Sequence, residues 1–226
     1  MCGRYNIIDD AATRALLESL GIDACLPTRV NIAPTESVPV IVQQRNSPAI
    51  HEMRWWLTPS WAPEVSNKYS MFNARSETID TSRAFKGPYR HHRGLIPASS
   101  FIEWGKNNSG QKQPYLVTPE KGCFAFAGLW DVWQKGESYL ESCTVITTES
   151  IDGLRWLHHR MPVLIEAPDF QAWLDPTTDK ATLDQIRSKA TARALNAYPL
   201  SPEVGNSRIK DLSLLDPLDE PIEIKH

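Results

Sequence analysis

Short runs rich in Val, Ile, Phe, Tyr and Trp, separated by clusters of Pro, Gly and polar residues, dominate the middle of this chain. Val38-Pro39-Val40-Ile41-Val42, Ile50 to Leu57, Pro114 to Thr118, Cys123 to Ala127, Leu129 to Trp133 and Tyr139 to Thr147 each read as strands, and Val163-Leu164-Ile165 as a returning one. So many strands in succession predict antiparallel sheet curled toward a barrel, not a parallel βαβ array. Helices flank it. Asp9 or Asp10 is placed to cap a first helix with Ala15, Leu16 and Leu20 inward and Gly21 at its end. Ser82 to Phe85, Glu149 to Leu157, Pro168 to Leu174 and Asp179 to Leu195 read as the others, the last with a polar face of Lys180, Asp184, Arg187 and Lys189. The expected fold class is α+β, one domain over residues 1–226, mainly antiparallel, with residues 207–226 as a polar tail on the surface.

The polar residues that interrupt this pattern are where chemistry can reside. Pro34 holds Ala33 extended and leaves Asn31 in a loop before a strand, where its amide serves either an Asx-turn or a ligand. Thr58-Pro59-Ser60-Trp61-Ala62-Pro63 is a bend stiffened by two prolines, and Trp61 there is either a stacking platform for a nucleobase or a plug in the core. Arg75, in Phe72-Asn73-Ala74-Arg75-Ser76-Glu77-Thr78, and Arg83 suit bidentate phosphate contacts, with a salt bridge from Arg75 to Glu77 or another carboxylate as the alternative. Arg90-His91-His92-Arg93 is the most basic run and reads as a solvated connection. Glu103, within Phe101-Ile102-Glu103-Trp104, falls on a strand among large side chains. It is either a carboxyl with a raised pKa, fit for proton transfer, or an Arg-paired structural group. Lys106 to Gln113 is a hairpin loop. His158 and His159 are adjacent and point in different directions, so at most one faces a given site.

Composition narrows the classes. A chain of 226 residues, 41% hydrophobic and 23% charged, supports one core-bearing domain. A net charge of -3 excludes a broad basic coat, so nucleic-acid binding must rest on a local Arg patch. The four cysteines show no Cys-x-x-Cys spacing, which fits a reducing cytosol with Cys25, Cys123 and Cys143 as buried free thiols and no metal or other cofactor. No signal peptide or membrane-length apolar run is evident. The expected protein is a cytoplasmic monomer, nucleoid-associated in a bacterium or phage and nuclear in a eukaryote.

Met1-Cys2-Gly3-Arg4-Tyr5 carries the most distinctive chemistry. Removal of Met1, expected before a small side chain, gives Cys2 a free α-amine beside its thiol. Such a 1,2-aminothiol condenses with an aldehyde to an imine and closes through sulfur to a thiazolidine. The amine titrates at about 7.7–8.0 and the thiol at about 8.5 in water, so both reactive forms are populated near neutrality. The alternative at this level is that Cys2 is merely a small residue at a processed start.

These motifs and their order resemble the SOS-response-associated peptidase (SRAP) family. Met1-Cys2-Gly3-Arg4-Tyr5, Asn31-Ile32-Ala33-Pro34, Trp55-x-Leu57-x-Pro59-x-Trp61, Asn73-Ala74-Arg75-x-Glu77-Thr78, Phe101-x-Glu103-Trp104, Ala127-Gly128-Leu129-Trp130 and His158-x-Arg160-Met161-Pro162 carry the resemblance, which runs on to Tyr198-Pro199-Leu200-Ser201. Trp56, Ile102, Ser99-Ser100 and Ala62 depart from the family's usual residues. The resemblance implies crosslinking to abasic sites in single-stranded DNA, the ring-opened sugar aldehyde meeting Cys2. By the same resemblance Asn73 is the active-site amide, Glu103 the catalytic carboxylate and His158 the catalytic histidine. Arg4, Asn31, Arg75, Arg83 and Arg160 match DNA-contacting or site-organising positions, and Trp61 a residue at the DNA surface. A weak lyase activity is compatible with the imine. The competing readings are a cysteine peptidase built on the same residues, with the bond after Met1 as its narrowest substrate, and a non-covalent binder of modified or damaged DNA.

Overall fold

The computed structural model describes residues 2–45, 47–107, 109–189, 191 and 193–224; Met1, Asn108 in the expected hairpin loop, Ala190 and Ala192 in the expected last helix and the end of the expected tail lie outside these. In chain order the elements are β1 (Tyr5–Ile7), α1 (Ala11–Ser19), β2 (Arg29–Ile32), β3 (Ser37–Gln44), β4 (Ser47–Trp55), β5 (Asn73–Arg75), α2 (Lys86–His91), β6 (Arg93–Ala98), β7 (Ser100–Lys106) and β8 (Lys112–Pro119). There follow β9 (Phe124–Lys135), β10 (Ser138–Glu149), β11 (Arg160–Pro162), α3 (Phe170–Leu174), α4 (Lys180–Ser188), β12 (Leu195–Pro199) and β13 (Ile222–Ile224). One sheet runs β13-β12-β8-β7-β1-β2. In the other, β10, β4, β3, β6 and β9 pair in a closed ring, because β9 also pairs with β10. The fold is α+β and mainly antiparallel, as the strand pattern predicts; β10 alone breaks the rule by running parallel to β4 and β5.

The length of β10 organises the molecule. Its first part pairs with β9 and β4 inside the barrel. Its last part has left the barrel and pairs with β5 on one edge and β11 on the other. The two short strands that bear Asn73, Arg75 and Arg160 therefore flank the end of β10 at one end of the barrel. The sheets are joined by aromatic packing: Tyr5 of β1 lies edge-on to Trp55 at 5.2 Å and to Phe126 at 5.9 Å, and Phe101 of β7 meets Phe124 and Phe126. All five rings are buried, and edge-to-face pairs of this kind contribute about 0.5–1.5 kcal/mol beyond their area.

Local sequence explains α1 well. Asp10 accepts from the Thr13 amide at the N-cap, and Gly21, at φ +71°, closes the other end by donating to Glu18. Thr13, Leu16 and Leu17 face inward, whereas Ala15 is exposed, one step off the expected face.

Several other expectations are corrected. Cys123 to Trp133 is not two strands, since β9 runs unbroken through Gly128. That glycine pairs with Gly94, where a Cβ would lie 2.6 Å from Val40 Cγ1, so close backbone approach and not a break explains the glycines. Glu149 to Leu157 holds only a short 3-10 turn at Asp152–Leu154, because β10 claims Glu149 and the loop is pinned by buried Leu154 and Leu157. The last helix stops at Ser188, where Lys189 turns extended toward β12, and Ser82 to Phe85 is a turn ahead of α2. Residues 163–165 add only one bridge, Leu164 to Phe126, after β11. Arg93 is no solvated connector: it is buried and donates to the carbonyls of Tyr89, Arg90, Trp173 and Asp175. Cys25 is exposed, although Cys123 and Cys143 are buried. Residues 207–224 cover sheet with buried Leu214 and Ile224, β13 completing one edge. Among the described residues no helix is long and apolar enough to cross a membrane, and no group of side chains forms a metal-binding cluster.

Candidate active site

Register builds the centre. Tyr5 pairs with Phe101, and Ile102 donates to the Arg4 carbonyl, so the β1–β7 ladder carried one step further sets Gly3 opposite Glu103. Cys2 thereby arrives beside Glu103. From the other sheet, the Asn73 amide donates to the Cys2 carbonyl at 2.8 Å. Asn73 can reach because β5 rides on the end of β10 that has left the barrel.

His158 arrives on the loop between β10 and β11, and two contacts fix that loop over β7 and β8. A Cβ on Gly105 would lie 3.5 Å from Leu157 Cα and 3.0 Å from its Cδ1, so glycine admits the loop against the strand. Trp156 packs edge-on to Tyr115 at 5.0 Å, and Tyr115 is the cross-strand partner of Glu103. His158 is the next residue beyond this pair of anchors. Its Nδ1 lies 2.9 Å from the Arg160 nitrogen and 3.1 Å from the Arg160 oxygen. A neutral ring accepts from the first and a protonated ring donates to the second, so the side chain holds one orientation in both states. The expectation that the two histidines point in different directions is corrected: His159 stacks on His158 at 4.3 Å, the two rings lying together with His159 on the exposed side.

Electrostatics follow from burial. Glu103 is 6% exposed, and loss of solvation raises its carboxyl above the usual range. Burial pushes the Cys2 thiol far up, and the neighbouring Glu103 carboxylate adds to that rise. Desolvation lowers His158. The site therefore combines a carboxyl inclined to hold a proton, a thiol inclined to keep one and an imidazole inclined to be neutral.

Arg160 and Asn31 stand as supports. Arg160 is buried and clamps Glu77 with two hydrogen bonds, 2.7 and 3.1 Å, while also donating to the Thr147 carbonyl. Glu77 is thus the partner of Arg160, not of Arg75. Asn31 lies within β2 and not in a loop, fully buried at φ 52°, and donates to the carbonyls of Asn206 and Ile209. Neither side chain presents itself to a DNA phosphate. The helical polar face of Lys180, Asp184 and Arg187 is also engaged: Arg187 donates to the Ser76 carbonyl and Asp184 accepts from Tyr89. Sequence reading missed the roles of Thr147, Tyr115 and Gly105; only the glycine, inside a strand pattern, carried a local signal of close approach.

Arg75 and Arg83 are exposed, and Arg4 is half-buried with its guanidinium on the Gly3 carbonyl. Trp61 is 49% exposed and the Arg83 guanidinium lies 4.1 Å from its ring, a preformed cation–π platform. Its loop is held rigidly: Asp131 accepts from the Ser60 amide and the Trp133 indole donates to the Ala62 carbonyl. The 56–72 excursion closes at the Leu57–Met71 bond, two residues before Asn73, so platform and site share one loop.

A closed barrel with a second sheet across it, carrying Cys2, Asn73, Glu103 and His158 at one end, defines a class of cysteine-bearing α+β proteins. The model of the SOS response associated peptidase (SRAP) family matches residues 1–207, and the chain belongs to that family. It is similar to the abasic site processing protein YoaM of Bacillus subtilis, at 33% identity over 224 residues that cover 96% of this chain and 98% of that one. It is likewise similar to the abasic site processing protein YoqW of Bacillus phage SPbeta, at 31% over 96% and 99% of the two chains. A solved structure from Bacteroides thetaiotaomicron shares the fold with a TM-score of 0.81 over 96% of this chain and 99% of that one, at 20% identity.

Proposed function

We propose that the protein senses abasic sites in single-stranded DNA and shields them by a covalent thiazolidine link to Cys2. The naming of its relatives as abasic site processing proteins supports the substrate class. The observation that carries the chemistry is the placement of Cys2 beside the buried, proton-holding Glu103 and under the Asn73 amide. Exposed Arg75 and Arg83, with Trp61, supply phosphate and base contacts at the surface.

Removal of Met1 turns the Cys2 nitrogen into a primary amine. The amine adds to the sugar aldehyde, a new C–N bond forming as the carbonyl π pair moves to oxygen. Glu103 gives its proton to the departing hydroxyl, and water leaves with the imine in place. The raised thiol acts second: its proton passes to the Glu103 carboxylate, restoring the acid form, as sulfur adds to the carbon of the protonated imine and the C=N pair returns to nitrogen. The balance is aldehyde plus aminothiol giving thiazolidine plus one water. Sulfur closure drains the imine and so competes with β-elimination, which leaves strand cleavage as a minor side reaction. His158 relays protons during ring opening, its orientation held by the Arg160 peptide.

A thiol-only peptidase fits less well, because a nucleophilic cysteine needs a lowered pKa and burial drives this one the other way. The test is incubation of the Met1-free protein with a single-stranded oligonucleotide bearing one abasic site. A heat-stable adduct is expected, lost in Cys2→Ala and after N-terminal acetylation. Its persistence in Cys2→Ala overturns the proposal.

A further inference from the structure

Beside the reactive centre, away from Trp61, lies a groove of about 550 Å³ bordered by Trp104, Gly105, Lys106, Lys112, Trp156 and Leu157. Leu157, on its border, directly precedes His158, and Trp104 borders it from the strand that carries Glu103, on the opposite face of that strand. Trp156 is 42% exposed and packs edge-on to Tyr115. Trp104 is in cation–π reach of Lys112 at 5.6 Å and Arg4 at 5.9 Å.

The lysines are the second observation. Lys106 and Lys112 are direct cross-strand partners at the mouth of the β7–β8 hairpin. Like charges directly opposite each other destabilise a sheet, and among the described residues neither lysine has a carboxylate ion-pair partner. On a chain of net charge -3 such a pair next to two indoles is matched by an anion that also has a flat apolar face. A nucleotide of a single strand is that ligand: phosphate for the lysines, base for the tryptophans.

We propose that the Trp104–Trp156 groove holds an unpaired nucleotide flanking the abasic position, on the side opposite the nucleotide taken by Trp61 and Arg83. The inference rests on the function proposed above and adds its geometry. Trp61 is anchored to the barrel through Asp131 and Trp133, whereas Trp104 and the Trp156 loop lie on the other sheet. Cys2 and Asn73 join the sheets between them. A strand gripped on both sides is drawn across the junction with its abasic sugar over Cys2.

The test uses Met1-free protein and two single-stranded substrates, with unpaired nucleotides only 5′ or only 3′ of the abasic sugar. Trp104→Ala should slow adduct formation about tenfold on one substrate and leave the other unchanged, the size expected for one lost stack. Trp104→Phe should restore most of the rate. Lys112→Gln should lower the salt slope on the affected substrate by about 0.7. Equal slowing on both substrates, or on neither, overturns the groove while leaving the crosslinking function standing. Absence of an adduct with the unaltered protein defeats the crosslinking function instead. The groove is then judged on undamaged oligothymidylate, whose affinity must fall about tenfold in Trp104→Ala for it to survive.

Discussion

The side-chain amide of Asn73 donates to the carbonyl oxygen of Cys2 across 2.8 Å, and so ties the leading residues of one sheet to a strand of the other. The bond spans 71 positions of sequence. Its removal in Asn73→Ala leaves the Cys2 carbonyl buried without this donor, a cost of about 1–3 kcal/mol. Adduct formation under single-turnover conditions should slow by roughly 5- to 150-fold, by the same energy. Asn73→Asp should be worse, because a carboxylate then faces a carbonyl oxygen and a thiol already pushed up by burial and by Glu103.

Glu103→Gln should abolish adduct formation and yet stabilise the fold. With its pKa raised in the folded state from 4.5, Glu103 binds more protons folded than unfolded in the window above 4.5, so stability falls as pH rises through it. The penalty is complete above the raised value. Thermal melts should therefore show the variant above the unaltered protein at pH 8 and the two converging as the pH drops below 4.5.

His158 has the opposite sign. Burial lowers its folded pKa below 6.5, so between that lowered value and 6.5 the unfolded chain binds more protons and stability is lost as pH falls. The acid limb of the rate of adduct formation should lie below pH 6.5 and vanish in His158→Gln. A limb unchanged in that variant would assign it to another group.

Arg160→Lys replaces a two-pronged clamp on Glu77 with a point charge that cannot hold Glu77 and Thr147 together. A loss of about 1.5–3 kcal/mol is expected for charge-assisted hydrogen bonds of this kind. That corresponds to a melting temperature lower by roughly 3–12 °C for a chain of this size. The Glu77 carboxylate is half-exposed and can be resolvated, so Glu77→Gln should cost less.

Gly105→Ala places a methyl 3.0 Å from Leu157 Cδ1 and 3.5 Å from Leu157 Cα. The fold should survive, since the nearest atom ends a flexible side chain, but the loop carrying His158 must shift. Adduct formation should slow while the melting temperature changes by only a few degrees. An unchanged rate would show that His158 does not depend on this contact.

Much of the molecule is decided locally. Alternating apolar residues fix the strands, Asp10 and Gly21 bound α1, and a Glu among large side chains at position 103 offers a raised pKa as one of two readings, the one that burial selects. These follow from sequence because each depends on neighbours within a few residues. The centre itself is decided by tertiary structure. Ring closure of the barrel lets β10 overshoot and carry β5 and β11, which sets Asn73 against Cys2 and Arg160 against Glu77. Burial then reverses the expected thiol, from readily ionised in water to strongly protonated in the fold. It also buries Asn31 and Arg160, matched from the sequence to DNA-contacting or site-organising positions, because only packing from distant segments determines whether a polar side chain meets solvent or protein.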